Sequence, residues 1–376
     1  MITSEKVLGT ARTLASAMRG DWVAQARLKE AVSTSDEFPE LFRRITQDEV
    51  RAQYDAFPVT WPQYSRRVAV PDFKPQTWRE FRLDTGLLPA VNGGAPTLGD
   101  TNGMTMLPRV PELTEYPVFE YDTASGQYQI GKHGGRFPFS MEAFINDEYQ
   151  LIQQMPGAMA ELARQTEQIL TAGVLATTTG PNPAFFNASN GNLMDGNPPL
   201  TRESLVEAMR QVTDRRVNGR PVTVRNFALV VPPSLQIVAQ EILNAVEVTR
   251  EVTLPDGSVE TTRTNPGMPF PVSVVVEYWL PVLDTSVNAD TTWYLVPSGG
   301  ETGISGRTAL VTGFLRGHET PELRISGDQG RALGGGDIDP LQGSFLNDDV
   351  QYRVRHFVGA KGLDPSPTIV SNGSGT

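Results

Sequence analysis

An α+β fold built from arms, ribbons and one long helix is predicted by three observations. First, residues 134–178 open as a short alternating segment and turn into a sustained helical pattern. Second, residues 201–296 interleave amphipathic helical stretches with short apolar runs of strand character. Third, 35 Gly and 29 Pro make up about 17% of the 376 residues, a share that favours turns and long extended loops.

The helical pattern organises the rest. Met141, Ile145, Tyr149, Ile152, Met155, Met159, Leu162, Ile169 and Gly173 recur at steps of three, four or seven, which is one stripe of a 3.6-period helix. Ser140 suits the N-cap and Glu142 the first turn, where the helix dipole favours a carboxylate. Residues 177–180 followed by Pro181 end the pattern. A continuous helix of about 38 residues would be roughly 57 Å long. Pro156-Gly157 predicts a kink, or two abutting helices. From pattern alone this is either the long core helix of a large α+β domain or an architectural rod. Glu142, Asp147, Glu148, Glu161, Arg164 and Glu167 make it too polar to span a membrane.

Composition narrows the classes. The length predicts about two domains, or one with insertions. Net charge is −11, and the 32 basic residues comprise 27 Arg and only five Lys. No basic stripe is visible, which argues against a dedicated nucleic-acid reader. The absence of cysteine removes disulfides, thiolate metal sites and a cysteine nucleophile. No signal-like apolar core or long apolar run is present, so a soluble product made in the cytoplasm is expected.

Before the helix the chain reads as appendages. Residues 1–30 form an amphipathic pattern, with Val7, Leu8, Ala11, Leu14, Ala15 and Met18 on one face. Residues 33–73 mix short helical pieces (39–45 and 48–57) with aromatic punctuation at Tyr54, Phe57, Trp61, Tyr64 and Phe73. That stretch reads as an arm lying on something else, such as a neighbouring subunit. Residues 79–84 and 118–130 alternate and can pair; the glycine-rich 87–111 lies between them. So long a loop predicts a β-arm projecting from the body.

After the helix comes a polar connector over 185–200, then an α/β region. Thr201 caps a helix with Leu205, Ala208, Met209 and Val212 inward; residues 227–231 read as a buried strand. Pro232-Pro233-Ser234 opens a helix with Leu235, Val238, Ala239 and Ile242 inward. Residues 247–264 are a hairpin turning at Pro255-Asp256-Gly257, and 272–280 and 292–296 are strands. Short strands follow in 306–330, then a loose glycine-rich stretch over 331–343. Residues 349–358 alternate, with Val350, Tyr352, Val354, His356 and Val358 on one face and Gln351, Arg353, Arg355 and Phe357 on the other. The small polar residues from Ser366 predict a mobile tail.

Catalytic constellations are sparse. There is no phosphate-binding loop and no dinucleotide fingerprint. His133, His318 and His356 are far apart and in no metal-binding spacing. Gly334-Gly335-Gly336-Asp337 reads as a linker rather than a cation nest, and Asp348-Asp349 as a strand-entry turn. The expectation is a non-enzyme with no catalytic residue, cofactor or metal, whose unusual features serve contact with its own copies.

In order along the chain, several pieces resemble the tailed-phage major capsid proteins of the Hong Kong 97-like fold, in the branch of the Mu-like prophage major head subunit. They are Arg136-Phe137-Pro138-Phe139-Ser140, Met141-Glu142, Asn146-Asp147-Glu148 and Pro156 within the long helix. Ala228-Leu229-Val230-Val231-Pro232 before a helix, Thr292-Trp293-Tyr294-Leu295, and the closing strand 349–359 continue the series. The resemblance covers about residues 35–365, and it rests on the order of the pieces, none of which is diagnostic alone.

The resemblance implies an N-terminal arm (1–75), an extension loop (76–138), a peripheral-domain spine helix (139–182), an axial domain (183–330), a returning peripheral-domain sheet (331–365) and a flexible tail (366–376). It implies hexamers and pentamers assembling into an icosahedral virion shell, in the host cytoplasm, around double-stranded DNA that is not read by sequence. A separate scaffolding protein, a portal and a decoration protein are the expected partners. Candidate subunit contacts are Trp61, Tyr64 and Phe73 in the arm, and Asn92, Gly93, Gly94, Asn102 and Gly103 at the loop tip. Arg136, Arg353, Arg355 and the turn Pro255-Asp256-Gly257 complete the set. The lysine that some relatives use for an isopeptide cross-link has no counterpart in 87–111, the nearest being Lys74 and Lys132, so no such weld is expected. The alternative is an encapsulin-like compartment shell packaging a cargo enzyme.

Overall fold

The computed structural model describes residues 38–84, 87–88, 97–98, 112, 120–140, 149–217, 220–245, 248–253, 259–264, 267–299, 308–326 and 349–375. In chain order the elements begin with α1 (Phe38–Ala56), β1 (Arg66–Val70), β2 (Gln76–Asp84), β3 (Glu120–Tyr128), β4 (Gly131–Ser140), α2 (Tyr149–Leu175) and α3 (Arg202–Asp214). Next come β5 (Phe227–Val231), α4 (Gln236–Asn244), β6 (Val248–Thr253), β7 (Val259–Thr264), β8 (Val272–Val276) and α5 (Leu280–Leu283). The last are β9 (Trp293–Pro297), β10 (Leu310–Leu315), β11 (Glu322–Ile325), β12 (Asp349–Gly362) and β13 (Ile369–Ser371). Helices and strands are intermixed without a repeating βαβ order, which makes the fold α+β. No helix among the described residues is long and apolar enough to cross a membrane.

The described residues fall into two compact units. One takes those up to Pro58, from Gly131 to Thr166 and from Phe314 to Val358; the other takes those from Val59 to Ile130, from Glu167 to Gly313 and from Gly359 on.

In the first unit β12 pairs antiparallel with β4 over ten residues, from Asp349↔Ser140 to Val358↔Gly131. Its other edge pairs with β11, from Glu322↔Arg355 to Ile325↔Tyr352. The expected alternation in β12 is present. Tyr352, Val354, His356 and Val358 are buried and Arg353 is exposed. Phe357 breaks it by being buried as well, beneath the Arg355 guanidinium at 5.3 Å. Helix α1 is one element where two pieces were expected, since Thr46 and Gln47 between them are neither Gly nor Pro. Its Gln47 accepts from the Leu323 N–H at 2.6 Å and donates to the Pro321 carbonyl at 3.0 Å. Tyr54 is buried against Ala160 and Ala163, with the Arg164 guanidinium 3.6 Å over its ring and the His356 ring edge-on at 5.8 Å.

Helix α2 runs unbroken through Pro156. Its 27 residues span about 40 Å. Two abutting helices are therefore not found. Ser140 ends β4 opposite Asp349, and residues 141–148, the expected first turns, lie outside the described residues.

The second unit is built on a four-stranded sheet in the order β8–β5–β9–β13. β5 runs parallel to β8 and antiparallel to β9, and all five of its residues are buried. That is the continuous apolar run of a strand covered on both faces. Leu205, Ala208, Met209 and Val212 of α3 pack into this core with Trp293 and Ile369. Thr201 caps α3 through a capping box with Ser204, the Ser204 N–H donating to Thr201 Oγ1 at 3.1 Å. In α4, Ala239 is buried while Val238 is 37% exposed at the margin of the stripe. The hairpin β6–β7 has the expected antiparallel register, Val248↔Thr264 to Thr253↔Val259. β2 and β3 pair over nine residues as a two-stranded ribbon.

Two expectations are corrected here. The strand expected over 272–280 stops at Val276, because Glu277 turns inward and Pro281 starts α5. The tail expected to be mobile from Ser366 is the edge strand β13. Its Ile369, Val370 and Ser371 are at most 1% exposed. The Val370 N–H donates to the Asn192 carbonyl at 3.0 Å, and Val370 accepts from the Met194 N–H at 2.8 Å. Short polar neighbours hid a three-residue Ile-Val-Ser strand too brief to show a period.

Candidate assembly surface

Two of the expected contact residues are internal anchors. Trp61 and Tyr64 are 2% and 1% exposed. Pro at the second position of the turn Trp61–Gln63 sets a short 3-10 helix that aims both rings inward. The Trp61 indole N–H donates to Glu167 Oε2 at 3.0 Å. The Tyr64 hydroxyl donates to Glu277 Oε2 at 3.1 Å, beside the Thr60 hydroxyl at 2.5 Å. Gly299 allows this segment to sit close, since a Cβ there would collide with the Pro62 carbonyl. Buried rings with satisfied polar tips hold the chain's own fold and have no surface left for a neighbour. Their aromatic character was legible in sequence; which side they faced was not.

Phe73 is different: it is 43% exposed, and its carbonyl accepts from Gln129 at 2.8 Å. Asn92, Gly93, Gly94, Asn102, Gly103, Pro255, Asp256 and Gly257 lie outside the described residues.

Arg136, Arg353 and Arg355 come together on one sheet face. Arg353 stands directly opposite Arg136, and Arg355 opposite Gly134. On the other side Arg324 stands opposite Arg353, and Glu322 opposite Arg355. Directly opposed residues share a face, so Arg136, Arg353 and Arg324 form one row across three strands. At a strand spacing of about 4.8 Å the row is about 10 Å wide between its outer backbones. Arg136, Arg353 and Lys132 are exposed. A groove of about 210 Å³ lined by Lys132, Arg136, Arg353 and Arg355 runs over Gly134 and Gly135. No basic stripe is visible in the sequence because each arginine of the row comes from a different strand.

Glu322 anchors one end of this face. It accepts from Arg355 Nη2 at 2.5 Å and pairs with His318 Nδ1 and with Arg324 Nη2 at 3.5 Å. Burial opposes its ionisation, but the His318 and Arg355 hydrogen bonds and the Arg355 charge outweigh that and hold its carboxyl below the ordinary range.

Two of the histidines, His133 and His356, are direct cross-strand partners in the β4–β12 pairing, and the third lies apart. His318 pairs with Glu322; His356 is buried between the Tyr54 and Phe314 rings; His133 is half-buried in β4. Among the described residues no three His, Asp or Glu side chains are grouped to hold a metal. The missed residues are the buried acids Glu167 and Glu277, 0% and 1% exposed, which receive the aromatic anchors. Glu277 ends an apolar strand, a position where a lone carboxylate reads as surface.

The buried acids serve packing, and a charged sheet face stands exposed. The chain belongs to the phage capsid protein family, whose profile matches residues 123–370. It is a phage capsid shell protein by that membership. No curated protein sequence matches the chain. Solved structures to which the chain bears a likeness include a virus-like particle from Pyrococcus furiosus, at 10% identity and TM-score 0.39, covering 88% of this chain and 99% of that one. The mature capsid of bacteriophage PhiM1 matches at 11% identity and TM-score 0.41, covering 84% and 86%. The holo-SrpI encapsulin complex from Synechococcus elongatus matches at 12% identity and TM-score 0.41, covering 82% and 85%. These likenesses are weak, and membership rests on the profile match.

Proposed function

We propose that this chain is the major capsid subunit of a tailed phage, of the Mu-like head-subunit branch, assembling as hexamers and pentamers into an icosahedral shell around double-stranded DNA. The observation that carries this reading is the family match over 123–370. The order of elements within and before that span supports it: a two-stranded ribbon, a 27-residue helix, an α/β sheet and a returning C-terminal strand. In this reading 1–75 is the arm, 76–138 the extension loop with the β2–β3 ribbon as its stem, 139–182 the spine helix, 183–330 the axial domain and 331–365 the closing sheet. The β4 residues 131–138 then act twice, as the return of the loop and as the partner of β12. Phe73 and the loop tip contact neighbouring subunits, each contact modest and the sum large through repetition. A separate scaffold, a portal and possible decoration proteins complete the particle, which assembles in the host cytoplasm.

The test is expression of the full chain followed by negative-stain electron microscopy, alone and with candidate scaffold proteins. Closed shells or hexameric sheets are expected. Monodisperse small particles under every condition would reject the reading, and shells filled with a single cargo enzyme would replace it with a compartment shell.

A further inference from the structure

The arginine row is costly for an isolated subunit. Like charges directly opposite each other destabilise a strand pair, and Arg136, Arg353 and Arg324 are successive cross-strand partners. Among the described residues the structure gives an acidic partner to Arg324 alone of the three, Glu322 at 3.5 Å. That carboxylate is already engaged by Arg355 and His318. Asp349, on the same face, accepts from Gln351 at 2.8 Å. Among the described residues of this face, Lys132, Arg136, Arg324, Arg353 and Arg355 against Glu322 and Asp349 leave an excess of three positive charges, on a chain whose net charge is −11.

We infer that this face is a carboxylate-binding interface that receives an acidic segment of a second copy of the chain. The inference rests on the capsid reading. Charge complementarity favours a second copy, because every copy presents net −11 to its neighbours. Guanidinium forks bind carboxylates bidentately, which a lysine ammonium cannot do. The groove over Gly134 and Gly135 leaves room between the forks for an incoming side chain. A nucleic acid fits less well. About three phosphate contacts fall short of the 6–10 that give a protein substantial salt-sensitive DNA affinity.

The test uses the full chain with Arg136→Gln and Arg353→Gln together, compared with wild type by sedimentation velocity at about 50 and 500 mM salt. Thermal unfolding and binding of a short DNA duplex are measured in parallel. Wild type is expected to assemble more at low salt. The variant's assembled fraction at low salt should fall about tenfold and lose most of its salt dependence. Its subunit midpoint should stay level or rise by about a degree or two, because repulsion is relieved. Arg136→Lys with Arg353→Lys keeps the charge and loses the fork, and is expected to assemble at an intermediate level. A variant that assembles as wild type does overturns this inference alone. So does one that unfolds earlier, or one that assembles normally but loses duplex binding, which would assign the face to nucleic acid. A wild-type chain that stays monomeric at both salts overturns this inference, and if it also forms no shells with candidate scaffold proteins the capsid reading falls as well.

Discussion

Glu277 is a buried junction of the second unit's polar wiring. It accepts from Thr60, Tyr64 and the Trp279 N–H. Burial raises its carboxyl above the ordinary 4.5, and those hydrogen bonds pull it back only in part. Burial, the Glu277 charge and its hydrogen bond in turn push the Tyr64 phenol well above its usual value. The folded chain therefore holds the Glu277 proton more tightly than the unfolded chain. Its contribution to stability is fully present below about pH 4.5 and is lost as pH rises through the elevated folded value. Glu277→Gln should flatten stability against pH in that window, by at most about 1.4 kcal/mol per pH unit, the effect of one proton. Glu277→Ala leaves two hydroxyls without their acceptor and should cost about 2–3 kcal/mol in urea unfolding at pH 7. Glu322 has the opposite sign. Its lowered carboxyl adds stability above its ordinary value that is lost as acid protonates it. Its partial exposure keeps that effect small. Single residues were the scale at which sequence misled most. Trp61 and Tyr64 were visible as unusual, but a buried acid elsewhere in the chain decides whether an aromatic is an anchor or a surface.

Elements with a strong local signal were legible. Thr201 and the spacing of Leu205, Ala208, Met209 and Val212 located α3 together with its cap and its buried face. The apolar run 227–231 located β5. Alternation located β12 and both arms of the β2–β3 ribbon. Thr201→Ala should cost about 1 kcal/mol, read as a shift of the urea midpoint with unchanged slope. Elements whose identity depends on partners were not legible. β13 has three residues and exists because β9 offers it an open edge, with Trp293↔Ser371, Tyr294↔Val370 and Leu295↔Ile369 in register. A chain stopped after Leu363 should lose the burial of Ile369 and Val370, about 1.5–3 kcal/mol each. That is a large part of a typical 5–15 kcal/mol, and such a chain should be protease-sensitive or insoluble.

For the whole molecule, the order of pieces was legible and their register was not. The ten-residue pairing of β4 with β12 joins segments more than two hundred positions apart, and no local pattern announces which residues oppose each other. The arginine row is a product of that pairing. The missing lysine in 87–111 is a property of composition, so its consequence follows directly: mature particles boiled in detergent should run as a single subunit band. A ladder of covalent multimers would show a weld made elsewhere. Ile369 also sets a timetable. Strands β5, β8 and β9 leave the ribosome long before β13, yet the edge of β9 and the core beneath Trp293 stay open until residues 369–371 emerge. Domains that fold during synthesis usually do so from the N-terminal side. Here the α/β unit can only close late, and a nascent chain still being translated presents an unfinished sheet edge to its neighbours on the same messenger.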